Sequence, residues 1–328
     1  MTASPEQPVT PGAAETPSSA PPTAARPDTR PGALPRAARA VGRWWTSPVP
    51  LARVAVLRVA IYLFLIYDVL ALTNDVIPHG YAPDLYQPTL IGRLLPFPTP
   101  SPGVGWLLLV TIIVGSLVAA TGLLPRLVGG IVAVAYLAWM VNSQGFAYVS
   151  HDHLALIIAT WVLPTVGRAR FTDLRPSEAG GWALRAIQVA TVATYVGSAV
   201  NKVVRTGSPW AWANGAVFTW AIMRRGSELI TWTLEYPWVL RLSQWGLLIA
   251  EFLSPVVFWL RGKWLAFAIG FFLVFHLATY LSLGIHFLPT VICWAAFAPL
   301  ERLAPPVQAV WRRLSRRGPR PGSATAGA

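Results

Sequence analysis

Charge is scarce in this chain. Only 12% of its 328 residues are charged, and acidic side chains are the rarer kind, 13 Asp and Glu against 26 Lys and Arg. A soluble domain covers its surface with roughly 25% charged residues, so this composition excludes an ordinary water-facing globule. Cysteine is nearly absent as well. The single Cys293 excludes an intrachain disulfide and, lying in an apolar stretch, reads as a packed thiol. Metal-ligand spacing is missing: His151 and His153 in Ser150–His151–Asp152–His153 have no further ligands in register, so no metal site is expected. The net charge of +13 could point to nucleic acid, but its placement argues against that partner. Basic residues gather at the two ends and in short gaps between apolar stretches, which is how membrane proteins set their orientation.

What the chain has in abundance is apolar surface. Residues of the hydrophobic types make up 54% of it, and the lipid bilayer is the partner this requires. A span needs about 20 mostly apolar residues. Runs at about 52–73, 104–123, 127–147, 153–167, 182–203, 238–260, 263–283 and 285–303 predict an all-α, polytopic transmembrane helical bundle of about eight spans. The fourth run is short and ends near Pro164, and the last follows the seventh almost without a loop.

Three regions follow. Residues 1–42 are rich in Pro, Ala, Thr and Ser without apolar periodicity, and such a segment is expected to be a disordered tail. Residues 43–303 form the membrane domain, and 304–328 are a basic tail with Arg312, Arg313, Arg316, Arg317 and Arg320. With the N-terminus inside, the inner segments hold most of the basic residues, and the outer ones keep only Arg93, Lys202, Arg205, Arg224, Arg225 and Arg241. Both termini are therefore expected in the cytoplasm of a bacterial-type plasma membrane, as a multi-pass protein. The outer segment 204–237 interleaves Trp210, Trp212, Trp220, Trp232 and Trp238 with Arg224, Arg225, Glu228 and Glu235. Its apolar pieces are too short to span, and an interfacial Trp-rich hairpin is expected there.

Ionisable groups inside spans cost at least about 2.5 kcal/mol each, which marks them as candidate functional residues. Glu251 lies mid-way along the sixth run, seven residues after Gln244 and on the same helical face. His276 occupies the middle of the seventh. On the fifth, Gln188, Tyr195, Ser198 and Lys202 share a face, and Asp68 in the first calls for a pairing neighbour. Each has a bland reading beside the functional one. Lys202 near a helix end can snorkel to the headgroups, His276 can bond a backbone carbonyl, and Glu251 can be interhelical glue.

The stretch Tyr195–Val196–Gly197–Ser198–Ala199–Val200–Asn201–Lys202, followed by Trp212–Ala213–Asn214–Gly215, resembles a segment of the membrane domain of vitamin K-dependent gamma-carboxylase. His151–Asp152–His153–Leu154, and Phe275–His276–Leu277 with the later Gly284–Ile285–His286–Phe287–Leu288–Pro289, fit the same pattern. The wider group is the horizontally transferred transmembrane (HTTM) family, which includes a membrane protein that helps mature the sporulation-delaying toxin. The resemblance spans about residues 50–303 through loosely matching motifs. It implies Lys202 as the base that deprotonates a reduced isoprenoid quinone, His153 as a histidine near that base, and His276 as a family histidine without an assigned role. Tyr195, Glu251 and Trp212 are the expected substrate-binding residues.

There are departures. Asn201 replaces a second lysine, an insertion separates Lys202 from Trp212, and Asn214 stands where an acidic residue is usual. The carboxylase's large extracytoplasmic lobe has no counterpart after residue 303, so recognition of a protein substrate by that lobe is not expected. Two function classes fit: a quinone-linked membrane enzyme, and a non-catalytic membrane accessory for peptide or protein maturation, export or binding.

Overall fold

The computed structural model describes residues 33–95, 97–146 and 151–303. It is about 79% helical. The strand pairing among the described residues is one antiparallel contact, Val49–Pro50 with Pro176–Ser177. The chain divides between Val41 and Gly42 into two compact units. Helix α1, Ala33–Trp45, crosses that division, so residues 33–42 of the expected disordered tail are helical. Alanine is the best helix former, and the Ala-rich run from Ala33 to Ala40 propagates the helix despite Pro35 in its first turn. Residues 1–32 and 304–328 lie outside the described residues.

Within the second unit, α2 covers Leu51–Tyr67 and continues as a π-helical turn, Asp68–Leu72. Its first free N–H groups are met from a distant loop: Leu51 N donates to Arg175 O at 3.1 Å and Ala52 N to Asp173 O at 2.7 Å. Helix α3, Pro102–Thr121, opens with Ser101 accepting from Val104 N and with proline at the first helical position. It ends at Gly122, whose φ of 79° needs glycine. A Cβ there would also sit 2.5 Å from the Arg58 guanidinium. That guanidinium is buried and donates to the carbonyls of Gly167 and Ala169 at 3.2 and 2.7 Å.

Helices α4, Pro125–Gln144, and α5, Leu154–Val162, follow, the latter flanked by 3-10 turns His151–His153 and Leu163–Val166. Helix α6 is the longest, Glu178–Thr206, capped by Ser177 and closed by Gly207 at φ 80°. Beyond it come a turn of helix at Pro209–Trp212, then α7, Ala216–Arg225, a further turn at Glu228–Thr231 and a 3-10 turn at Trp232–Glu235. The Trp-rich segment is therefore a chain of short helices. Helix α8, Pro237–Leu253, extends through a 3-10 turn to Phe258. Helices α9, Gly262–Leu283, and α10, Leu288–Cys293 with its 3-10 continuation Trp294–Phe297, complete the unit.

Five of these helices are long and apolar enough to cross a membrane: Leu51–Leu72, Pro102–Thr121, Pro125–Gln144, Glu178–Thr206 and Gly262–Leu283. Their lengths follow from lipid as solvent, since a bilayer core leaves no backbone group unpaired except in continuous helix. The main core gathers Leu57, Ile61, Tyr62, Tyr136 and Trp139 from α2 and α4 with residues of α3, α5 and α6. Two smaller clusters hold the other side. One joins Val192 and Tyr195 to Val257, Phe272, Trp294 and Phe297, and the other joins Ala199 to Trp212, Ala213 and Leu248. Helix α9 is set apart. Only 11% of its most apolar stretch is buried in the protein, against 56% for α4 and for α6. It rests on α7 and the Glu228–Thr231 turn. Ser227 closes its last turn, donating from N to Ser282 O and from Oγ to Leu281 O, both at 2.8 Å.

Candidate functional site

The polar face of α6 meets four other elements. Near the helix end, Lys202 Nζ donates to both carboxylate oxygens of Glu251 on α8 at 2.5 Å, and Ser198 Oγ donates to Glu251 Oε1 at 3.3 Å. The ammonium also stands 4.8 Å from the centre of the Trp212 ring, within cation–π range. Trp212 is fixed in turn. Ser208 caps its short helix by accepting from Ala211 N at 3.1 Å, and Gln244 Nε2 donates to Trp212 O at 2.7 Å. The seven-residue spacing of Gln244 and Glu251 thus places one on the Trp212 backbone and the other on Lys202.

About two turns before Lys202 on α6, the Tyr195 hydroxyl lies 2.6 Å from His276 Nε2 on α9 and accepts from Trp294 Nε1 at 2.9 Å. Trp294 stacks on Phe272, with centroids 4.9 Å apart, so the trio is held by aromatic packing as well as by hydrogen bonds. His276 is 7% exposed, and its Nδ1 has no hydrogen-bond partner among the described residues. Gln188, the fourth member of the α6 face, donates to Ala296 O at 2.8 Å and accepts from Arg185.

Several of these groups, Lys202, Trp212, Glu251 and His276, line with His151 and Phe287 a cavity of about 290 Å³. A second cavity of about 500 Å³ adjoins it, the two sharing Tyr195, Phe218, Glu251 and Phe275. The larger one lies among α7, α8 and α9 and is lined chiefly by apolar side chains, among them Ile222, Leu240, Leu247, Phe271 and Phe272. Mostly apolar walls with a few convergent polar groups are the usual make-up of a small-molecule site. Here the polar groups collect at one end. An amphipathic molecule fits that division, its head against Lys202, Glu251 and His276 and its tail in the apolar chamber.

Five of the six expected site residues, Lys202, His276, Tyr195, Glu251 and Trp212, line the smaller cavity. His153 is not among the residues that line it. Its Nε2 lies 3.0 Å from Asp68 Oδ1 and its Nδ1 3.0 Å from Asp152 Oδ1. Asp68 also accepts from Tyr136 OH at 2.8 Å, and Trp139 Nε1 donates to Thr73 Oγ1 beside it. The cause is local. The 3-10 turn at His151–His153 sends the second histidine inward toward α2 and α4, and leaves His151 exposed at the cavity. The π turn at Asp68–Leu72 accompanies this network, and such turns recur at functional sites. Trp294, which holds the Tyr195 hydroxyl, is a residue of this network that sequence spacing did not single out. Among the described residues no cluster of three or more His, Cys, Asp or Glu could hold a metal ion.

Compared with family models, curated proteins and solved structures, the chain matches none of them.

Proposed function

We propose that this chain is an eight-span membrane protein of HTTM type that binds an isoprenoid quinone in the joined cavities and uses Lys202 as a base toward the reduced form. One observation carries the reading: an ammonium–carboxylate pair, Lys202 with Glu251, at the polar end of an otherwise apolar cavity. The five long helices supply five spans. Pro237–Phe258 is a sixth, and the two short apolar runs are stretched by 3-10 turns, which rise about 2.0 Å per residue instead of 1.5. His151–Val166 then reaches roughly 28 Å, close to the ~30 Å of a hydrocarbon core. The distribution of basic residues supports both termini in the cytoplasm and Lys202 at the opposite rim.

The proton step uses both members of the pair. Lys202 passes a proton to the Glu251 carboxylate, and the resulting neutral amine takes the proton of a quinol hydroxyl. The products are a quinolate anion, a Lys202 ammonium and a protonated Glu251. Lys202→Arg is the informative variant, because arginine keeps the pair with Glu251 but does not lose its proton in proteins. The absorbance change of bound quinol on deprotonation is expected in the wild type and absent from Lys202→Arg and Lys202→Ala protein that still inserts. Deprotonation by folded Lys202→Ala protein would exclude the base.

A non-catalytic accessory to peptide maturation is favoured by one observation, that Lys202 already has its charge met by Glu251. In that case Lys202→Arg is tolerated in every assay, and a protein partner co-purifies in place of a quinone.

A further inference from the structure

His276 is held at one ring nitrogen and, among the described residues, unpartnered at the other. Its Nε2 faces the Tyr195 hydroxyl at 2.6 Å, and that hydroxyl accepts from Trp294 Nε1, a group that can only donate. Two proton arrangements are available. If Tyr195 donates to Nε2, its hydroxyl both donates and accepts, and the single hydrogen left over is the N–H at His276 Nδ1. If His276 donates from Nε2 instead, the Tyr195 hydroxyl hydrogen and the Nδ1 lone pair are both left over, since that hydroxyl makes no other hydrogen bond among the described residues. Unpaired buried polar groups are costly, so the first arrangement prevails. It gives a neutral ring with a buried, unpartnered N–H on a residue that lines the cavity together with Lys202 and Glu251.

We propose that His276 Nδ1–H is a hydrogen-bond donor for the ligand head, so that the site takes an amphipathic molecule carrying two oxygen functions. One faces Lys202 and Glu251, and the other is an acceptor oxygen, such as a carbonyl, at His276. Tyr195 and Trp294 are positioning residues that set the tautomer. The inference rests on the cavity being the ligand site proposed above and adds the head's second contact. A molecule with one carboxylate and a plain hydrocarbon tail would meet Lys202 and leave His276 unpaired. A quinone meets both.

The test uses the full chain in lipid nanodiscs and a decyl-tailed 1,4-benzoquinone, with binding read from tryptophan fluorescence quenching. An asparagine at 276 can place an amide N–H near the position of Nδ1, glutamine near that of Nε2, and phenylalanine at neither. His276→Gln and His276→Phe are expected to bind the quinone about tenfold more weakly, and His276→Asn to stay close to the wild type. Equal affinity in all four proteins would overturn the assignment. Nitrogen NMR of the ligand-free protein supplies a readout independent of binding. The Nδ1–H tautomer supports the inference, and Tyr195→Phe should weaken its dominance. An Nε2–H tautomer or an imidazolium in the wild type would overturn it. A wild-type protein with the Nδ1–H tautomer that fails to bind the quinone removes the quinone reading and leaves the donor assignment supported.

Discussion

Replacing Glu251 by methionine would strand the Lys202 ammonium. The two side chains are 19% and 7% exposed, so water replaces little of what is lost. Two unit charges about 4 Å apart at an effective dielectric constant near 20 attract by ~4 kcal/mol. Breaking a buried pair from one side destabilises proteins by about 3–5 kcal/mol. Ser198 loses its acceptor as well, whereas the Trp212 ring 4.8 Å from Nζ retains part of the charge stabilisation, about 0.5–2 kcal/mol. The expected net loss for Glu251→Met is about 3 kcal/mol. Converting Lys202 to methionine in the same protein removes the orphan charge, and the double variant should return to within about 1 kcal/mol of the wild type. Unfolding in mixed micelles with rising SDS fraction, followed by tryptophan fluorescence, measures all three proteins. A double variant no more stable than Glu251→Met would refute the coupling. A single-variant loss under about 1 kcal/mol would show that Nζ escapes to water along its flexible stem, which places it outside the cavity.

Three further outcomes follow from the same structure. Tyr136→Phe removes the 2.8 Å hydrogen bond to the buried Asp68 carboxylate and should lower stability by about 1.5–3 kcal/mol in the same unfolding assay. Gly181→Ala puts a Cβ 1.9 Å from the Ser47 carbonyl oxygen, a backbone atom that cannot rotate away; a loss of about 1–3 kcal/mol is expected, and a neutral result would mean that the Thr46–Ser47 segment does not pack on α6. Cys293 is fully buried, so in a Cys293→Ala background Thr206→Cys, at an exposed position at the end of α6, reports topology. It should react with a membrane-impermeant maleimide from outside intact cells, and labelling from the cytosol alone would invert the proposed orientation.

The long helices were legible because lipid imposes a simple rule on sequence. An expected span at 104–123 and an observed helix Pro102–Thr121 differ only by what Ser101 and Gly122 do at the ends. The short elements were less legible. His151–Val166 and Leu288–Phe297 mix α and 3-10 geometry, which leaves no clean period in the sequence. Around the site, the shared face of Tyr195, Ser198 and Lys202 could be read from helical spacing. Their partners could not, because Glu251, His276 and Trp294 arrive from three other helices, and sequence spacing says nothing about which helices touch. The partners of His153 were hidden for the same reason. Whether it turns toward Asp68 or toward the cavity is decided by the rotation of one 3-10 turn, and His151 two residues earlier carries the same side chain. The helix at Ala33–Trp45 was hidden by the proline-rich composition around it.

Helix α9 has little protein beside it, so much of its surface is left to acyl chains. At 22 residues it is about 33 Å long, slightly more than a typical hydrocarbon core. A thicker or thinner bilayer therefore presses on this helix by changing its tilt, while the Ser227 contacts hold its far end in place. Since Phe271, Phe272 and Phe275 of α9 wall the larger chamber, the surrounding lipid becomes in effect a component of the binding site, and ligand affinity should track acyl-chain length in reconstituted membranes.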